Sequence, residues 1–253
     1  MSFGEAYNRW LYRAMQAGMR LALRRAAVSL RGKSLCDVGA GIGTWMGFWR
    51  SLGVAETVGI DIAPGSVDVL RRTYPDETFV LGDIADETIL DQSVLKRKTF
   101  DVVALVNVTF HLTSESAFSR GLQNAAKLLA PGGWMILSDG MGNRDWHAAY
   151  YERHWPFSRY AAELMDLGIS PVVVRPLCFT LGGKIDPEGL LQRLLGRIHS
   201  VGVAVMQRSS RRGLLGHASS AVGAALYGLD RLLLPFVSRG PGLHVLIARK
   251  SPT

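Results

Sequence analysis

Two rhythms of apolar residues divide this chain. Runs that are apolar at nearly every position, 34–38, 56–61, 78–81, 100–106, 134–138, 172–178 and 243–249, read as strands, with the continuous runs buried on both faces. Between the first five lie stretches with apolar residues three or four apart, Thr44–Leu52, Ser66–Tyr74, Asp86–Leu95 and Ser114–Leu129, which predict helices. In the last of them Phe118, Leu122, Ala126 and Leu129 share a face, and Pro131-Gly132-Gly133 stops the helix before the fifth strand. Strand and helix in alternation predict right-handed βαβ crossovers and a parallel sheet.

The expected fold is therefore α/β, a Rossmann-like doubly wound seven-stranded sheet, with two parts outside it. Residues 1–33 form a helical lead-in whose Tyr7, Trp10, Leu11, Ala14, Met15, Gly18 and Leu21 make an apolar stripe suited to docking. A Leu-, Gly- and Arg-rich helical insert separates the last two strands. The predicted organisation is a lead-in over 1–33, a ligand-binding core over 34–178, the insert over 179–242 and a final strand and tail over 243–253. Ligands of open α/β sheets bind beyond the carboxyl ends of the strands, so either appendage is placed to act as a lid on a substrate.

Length and charge narrow the picture. At 253 residues and 48% hydrophobic composition, one large domain with appendages suffices. No run approaches the length of a spanning helix; the nearest, Leu214 to Leu229, contains His217 and several Ser and Gly residues. Cys36 and Cys178 sit in predicted strands without metal-ligand spacing and read as reduced core thiols of a cytoplasmic protein. The net charge of +8 gathers in Arg9, Arg13, Arg20, Arg24, Arg25, Arg31 and Lys33, and again in Arg208, Arg211 and Arg212. A solvated helix face explains these clusters best; weak peripheral membrane contact, RNA contact and an organelle transit peptide are the other readings.

The chemistry begins at residues 35–45, Leu-Cys-Asp-Val-Gly-Ala-Gly-Ile-Gly-Thr-Trp. Gly39, Gly41 and Gly43 let the backbone bend sharply out of the strand and approach a ligand closely. The pyrophosphate pattern G-x-G-x-x-G fails, because its last position falls on Thr44 in one register and Met46 in the other. Asp61 follows about twenty residues later at the tip of the second strand, where a carboxylate can accept from both hydroxyls of a ribose. Gly82-Asp83-Ile84 ends the third run, and Val106-Asn107-Val108-Thr109-Phe110-His111 ends the fourth.

With Asp37 two residues before the first glycine, this ordered set resembles the motifs of class I S-adenosylmethionine-dependent methyltransferases. The flanks Tyr7-Asn8-Arg9-Trp10-Leu11-Tyr12-Arg13, Arg175-Pro176-Leu177 and Tyr227-Gly228-Leu229-Asp230 look like those of a bacterial small-molecule subgroup. The resemblance implies S-adenosyl-L-methionine as cofactor, held by Asp37, Gly39, Gly41 and Gly43, by Asp61 and Ile62 at the ribose, by Asp83 and Ile84 at the adenine, and by Asn107 and Val108 toward the methionine end. It implies methyl transfer to an oxygen or nitrogen of a small metabolite or biosynthetic intermediate. RNA or protein methylation and a non-catalytic cofactor-binding scaffold are the alternatives; against nucleic acid, no Asn/Asp-Pro-Pro-Tyr motif and no RNA-binding module is present.

His111 is the candidate general base, since it follows the fourth strand and histidine exchanges protons near neutrality; capping or packing is the competing role. Tyr7, Tyr12, Asp139, His147, Tyr151 and His154 are the candidate substrate contacts. His147 and His154 would share a face if their segment were helical, with Glu152 nearby, but seven-residue spacing is not a usual ligand pair and no metal is expected.

Overall fold

The computed structural model describes residues 5–182, 189–208, 214–238 and 242–252. Nine strands are β1 (Ser34–Val38), β2 (Glu56–Asp61), β3 (Thr78–Leu81), β4 (Phe100–Val106), β5 (Leu129–Asp139), β6 (Trp146–Ala149), β7 (Glu152–His154), β8 (Ile169–Pro176) and β9 (His244–Lys250). The helices are α1 (Glu5–Arg25), α2 (Thr44–Ser51), α3 (Pro64–Thr73), α4 (Glu115–Leu128), α5 (Phe157–Asp166), α6 (Gly189–Arg208) and α7 (Leu214–Leu233).

Seven strands form one sheet in the order β3-β2-β1-β4-β5-β9-β8, and the pairs β1/β2, β1/β4, β2/β3 and β4/β5 are parallel. This is the doubly wound order expected, with the switch between β1 and β4. Strand β4 is buried nearly throughout, which explains its unbroken apolar run. The starts of β1 and β4 are tied by Asp101, whose carboxylate accepts from the Ser34 N–H at 2.9 Å and the Ser34 hydroxyl at 3.1 Å. The Ser114 hydroxyl caps α4 by accepting from Ala117 N–H at 3.1 Å.

The structure departs from the expected elements in three places. The helix expected over Asp86–Leu95 is a single 3₁₀ turn at Ile89–Asp91. The Asp86 side chain accepts from the Thr88 N–H and hydroxyl at 2.8 and 2.9 Å, offering the backbone a turn instead of a helix. Leu129 and Pro131-Gly132-Gly133 fall inside β5, with Gly132 at φ +71° and an irregular register against β4. The segment holding His147 and His154 is an antiparallel ribbon of β6 and β7.

Two compact units emerge, Ala26–Val173 with Leu246–Thr253, and Met1–Arg25 with Val174–Val245. Within the second, α1 buries Ala14, Met15, Met19 and Ala22. At Gly18 a Cβ would meet the Leu177 carbonyl oxygen at 2.2 Å, and at Gly223 of α7 it would meet the Trp10 ring at 2.2 Å; only glycine permits these approaches. Asp230 holds this unit's interior, accepting from Thr180 N–H at 2.8 Å, its hydroxyl at 2.9 Å and Phe179 N–H at 3.2 Å. Arg211 and Arg212 lie outside the described residues. No described helix is long and apolar enough to cross a membrane.

Candidate active site

Beyond the carboxyl ends of β1 to β4 lies a cleft of about 350 Å³ lined by Val38, Gly39, Ile60, Asp61, Ile62, Gly82, Asp83, Ile84, Asn107, Val108, His111 and Leu112. Of the turn after β1, Gly39 lines it, while Gly41, Gly43 and the preceding Asp37 lie outside the lining. Gly39, Gly41 and Gly43 have φ of +71°, +57° and +90°, a region that L side chains enter at a cost. A Cβ on Gly39 would lie 2.3 Å from Val108 Cγ2, whereas a Cβ on Gly41 would meet nothing closer than 4.0 Å. Gly39 therefore serves packing, and Gly41 presents bare backbone.

Asp61 is oriented by two main-chain donors: Oδ2 accepts from Gly41 N–H at 2.7 Å and Oδ1 from Ala63 N–H at 2.9 Å. Each oxygen keeps a further lone pair. Asp83 is held likewise, Oδ1 accepting from Ala85 N–H at 2.8 Å. Ile84 is fixed through its carbonyl, which accepts from Asn124 Nδ2 at 2.9 Å. Asn107 has φ +59°, an αL conformation that asparagine tolerates, and its side-chain oxygen accepts from the Ser138 hydroxyl at 3.3 Å. Asp37 lies fully buried at the end of β1 with Oδ2 unpartnered. Burial pushes its carboxyl up to about 7; the nearby Trp49 indole N–H opposes this without reaching hydrogen-bond geometry, and the charge of Asp61 reinforces it.

His111 is exposed on the cleft wall, its Nδ1 3.3 Å from the Tyr151 carbonyl oxygen. A carbonyl only accepts, so Nδ1 is the donor in this contact and, in the neutral imidazole, Nε2 carries the lone pair. Phe110 separates His111 from His154, with ring centroids 4.1 and 5.4 Å away. His154 is buried and its Nδ1 lies 2.8 Å from Asp139 Oδ1. Asp139, also buried, accepts at Oδ2 from the Thr109 and Tyr160 hydroxyls, both at 2.7 Å, and at Oδ1 from the Gly140 N–H. Burial and then the charge of Asp139 hold the Tyr160 phenol far above its ordinary range, so it remains a donor.

The remaining expected contacts are dispersed. In the ribbon His147 pairs with Arg153 and His154 with Trp146, on which it stacks at 4.8 Å. Adjacent ladder positions face opposite sides of a ribbon, so the two histidines do not share a face, and no group of metal-ligating side chains occurs among the described residues. Tyr151 is exposed beside Tyr150. Tyr7 and Tyr12 belong to the other compact unit, where Tyr7 is buried and donates its hydroxyl to the Leu181 carbonyl at 2.6 Å. That phenol is thus engaged in holding α1 within its own unit. Sequence reading missed Val38, Ile60, Gly82 and Leu112 as lining residues; their position at or just beyond a strand tip was the only signal.

The cleft lining carries two carboxylates and no Lys or Arg, although the chain is strongly basic. Such a site suits a ligand that is neutral or cationic at its centre and disfavours a pyrophosphate.

A family model for the methyltransferase domain matches residues 7–168. No curated protein sequence matches the chain. Among solved structures, a TehB-like SAM-dependent methyltransferase from Corynebacterium glutamicum is 16% identical, with TM-score 0.54 over 94% of this chain and 88% of the other. The 1,6-didemethyltoxoflavin-N1-methyltransferase of Burkholderia thailandensis is 17% identical, with TM-score 0.53 over 94% and 78%. The [4+2]-cyclase SpnF is 16% identical, with TM-score 0.57 over 92% and 80%. At these identities the likeness concerns the fold alone, and the cyclase illustrates that one fold hosts several chemistries.

Proposed function

Since this chain belongs to the methyltransferase-domain family, we propose that it transfers a methyl group from S-adenosylmethionine to an oxygen or nitrogen of a small-molecule acceptor. The observation that carries this reading is the pairing of a glycine turn with Asp61 and Asp83 in a cleft that offers no cationic side chain to a phosphate. When bound, the cofactor supplies a methyl group already activated by its sulfonium charge. Asp61, fixed by two backbone donors, would accept from the ribose hydroxyls, and Asp83 from the adenine amino group, with Ile84 alongside. Asn107 and Val108 would face the methionine end, with Val108 packed on Gly39 and Gly41 presenting bare backbone. Asp37, buried in β1 just before the turn, would support the turn from beneath the cofactor.

The chain's remaining task is to present the acceptor in line, exclude water and remove a proton where the acceptor carries one. We assign the last to His111: with Nδ1 turned to the Tyr151 carbonyl, Nε2 of the neutral imidazole would take the proton of a hydroxyl or ammonium acceptor. The exposed Tyr151 and His147 are the acceptor contacts in this scheme, and the buried Asp139–His154 pair holds the wall behind Phe110. Calorimetry with S-adenosylmethionine and its demethylated product is the direct test. Binding of both is expected, followed by transfer of labelled methyl to a low-molecular-weight fraction of cell extract; absence of binding at millimolar ligand would overturn the proposal.

A further inference from the structure

Helix α6 exposes an apolar seam. Leu190, Leu194, Val201 and Val205 are 86%, 51%, 66% and 38% exposed. At 3.6 residues per turn they fall within about 60° of arc. The opposite side of the same helix is already occupied: Leu195, Val203 and Met206 are buried, and at Gly202 a Cβ would meet a Leu226 methyl of α7 at 2.6 Å. The seam is therefore not the face that holds the helix in its unit. Soluble helices turn charged and polar residues of both signs to water, whereas a continuous outward row of Leu and Val marks an interaction surface.

Charge says which surface. Arg197 borders the seam about 20° beyond its edge and Arg193 about 60° beyond on the same side, both exposed, and among the described residues neither has a carboxylate partner. From Gly189 to Leu229 the chain contains five arginines and no Asp or Glu. A second copy docked seam to seam would bring the Arg193 and Arg197 guanidiniums of both copies together with no acid in the segment to neutralise them. An anionic bilayer accepts both components at once, since the apolar side chains enter the headgroup–acyl boundary while arginine keeps its guanidinium among the phosphates. We propose that the outer face of α6 is a docking surface for an anionic lipid membrane, on which the protein rests peripherally.

The test uses the full chain and sedimentation with vesicles of phosphatidylglycerol mixed with phosphatidylcholine, against pure phosphatidylcholine. Sedimentation with the mixed vesicles is expected, weakened by salt and much reduced on the neutral ones. Replacing Arg193→Gln and Arg197→Gln together should weaken binding about thirtyfold, from about 1 kcal/mol per basic residue at an anionic surface. The pair Leu194→Ser and Val201→Ser should weaken it at least about tenfold, with an unchanged melting temperature because both side chains face outward. Wild-type protein that stays in the supernatant with mixed vesicles overturns the proposal, as does equal sedimentation of wild type and both variants. If light scattering then finds a dimer that Leu194→Ser with Val201→Ser dissociates, the seam belongs to a second copy. Vesicle binding is read without turnover, so it stands or falls apart from methyl transfer.

Discussion

The Asp61 carboxylate accepts a hydrogen bond from the Gly41 N–H at 2.7 Å, joining the tip of β2 to the turn that follows β1. One side chain thus both shapes the glycine turn and faces the cleft, so its removal acts twice. Asp61→Ala is expected to cost about 2–4 kcal/mol of cofactor affinity, or roughly thirty- to a thousandfold. Asp61→Asn should also be costly, because both oxygens face backbone N–H donors and an amide would set its NH₂ against one of them. Titration calorimetry on protein shown to be folded checks this; unchanged affinity refutes the ribose role.

Gly39 is constrained twice, by φ and by Val108. Gly39→Ala should destabilise the protein by about 1–3 kcal/mol and weaken cofactor binding, and Val108→Ala in the same chain should restore part of the loss. A double-mutant cycle in denaturant measures the coupling. Strict additivity would show that the backbone conformation alone, not the 2.3 Å approach to Val108, carries the penalty.

Asp37 makes stability depend on pH in an uncommon direction. Its folded value, about 7, lies above the ordinary 3.8, so the folded state binds the proton more tightly than the unfolded chain. Stability from this group is full below 3.8 and falls as pH rises toward about 7, a loss of up to about 4 kcal/mol. Asp37→Asn should therefore raise the melting temperature of the ligand-free protein on the alkaline side of neutrality and change it little near pH 4. An equal shift at both pH values would exclude this cause.

If His111 removes the acceptor proton, His111→Ala lowers turnover by about 10²–10⁴ while cofactor affinity stays near that of wild type. Added imidazole should recover part of the rate. A variant that is folded and turns over normally removes His111 from the mechanism, and points to an acceptor that needs no protein base.

Much of this was legible in the chain itself. The boundaries of β1 to β4 follow the apolar runs closely because these strands are buried on both faces and pattern alone specifies them. Gly39, Asp61, Asp83 and Asn107 converge because each follows the carboxyl end of a different parallel strand, an arrangement the alternation of elements already implied. The ribbon after β5 was not legible. The spacing of His147 and His154 fits a helix as well as a hairpin, and the choice is made by tertiary partners: Arg153 grips Asp145 and Glu115 and lies 3.5 Å over the Trp155 ring. Nor could spacing reveal that the Tyr7 hydroxyl meets the carbonyl of Leu181, far along the chain.

The bare backbone at Gly18 and Gly223 carries a consequence for synthesis. The main chain of Leu177 lies against Gly18 and the indole of Trp10 against Gly223, so α1 completes its packing only with segments that leave the ribosome much later. At ordinary elongation rates that interval is on the order of ten seconds or more. Throughout it Gly18 lacks the Leu177 main chain and Trp10 lacks the Gly223 backbone against which each packs in the folded protein. Helix α1 is made well before the segments that complete its packing.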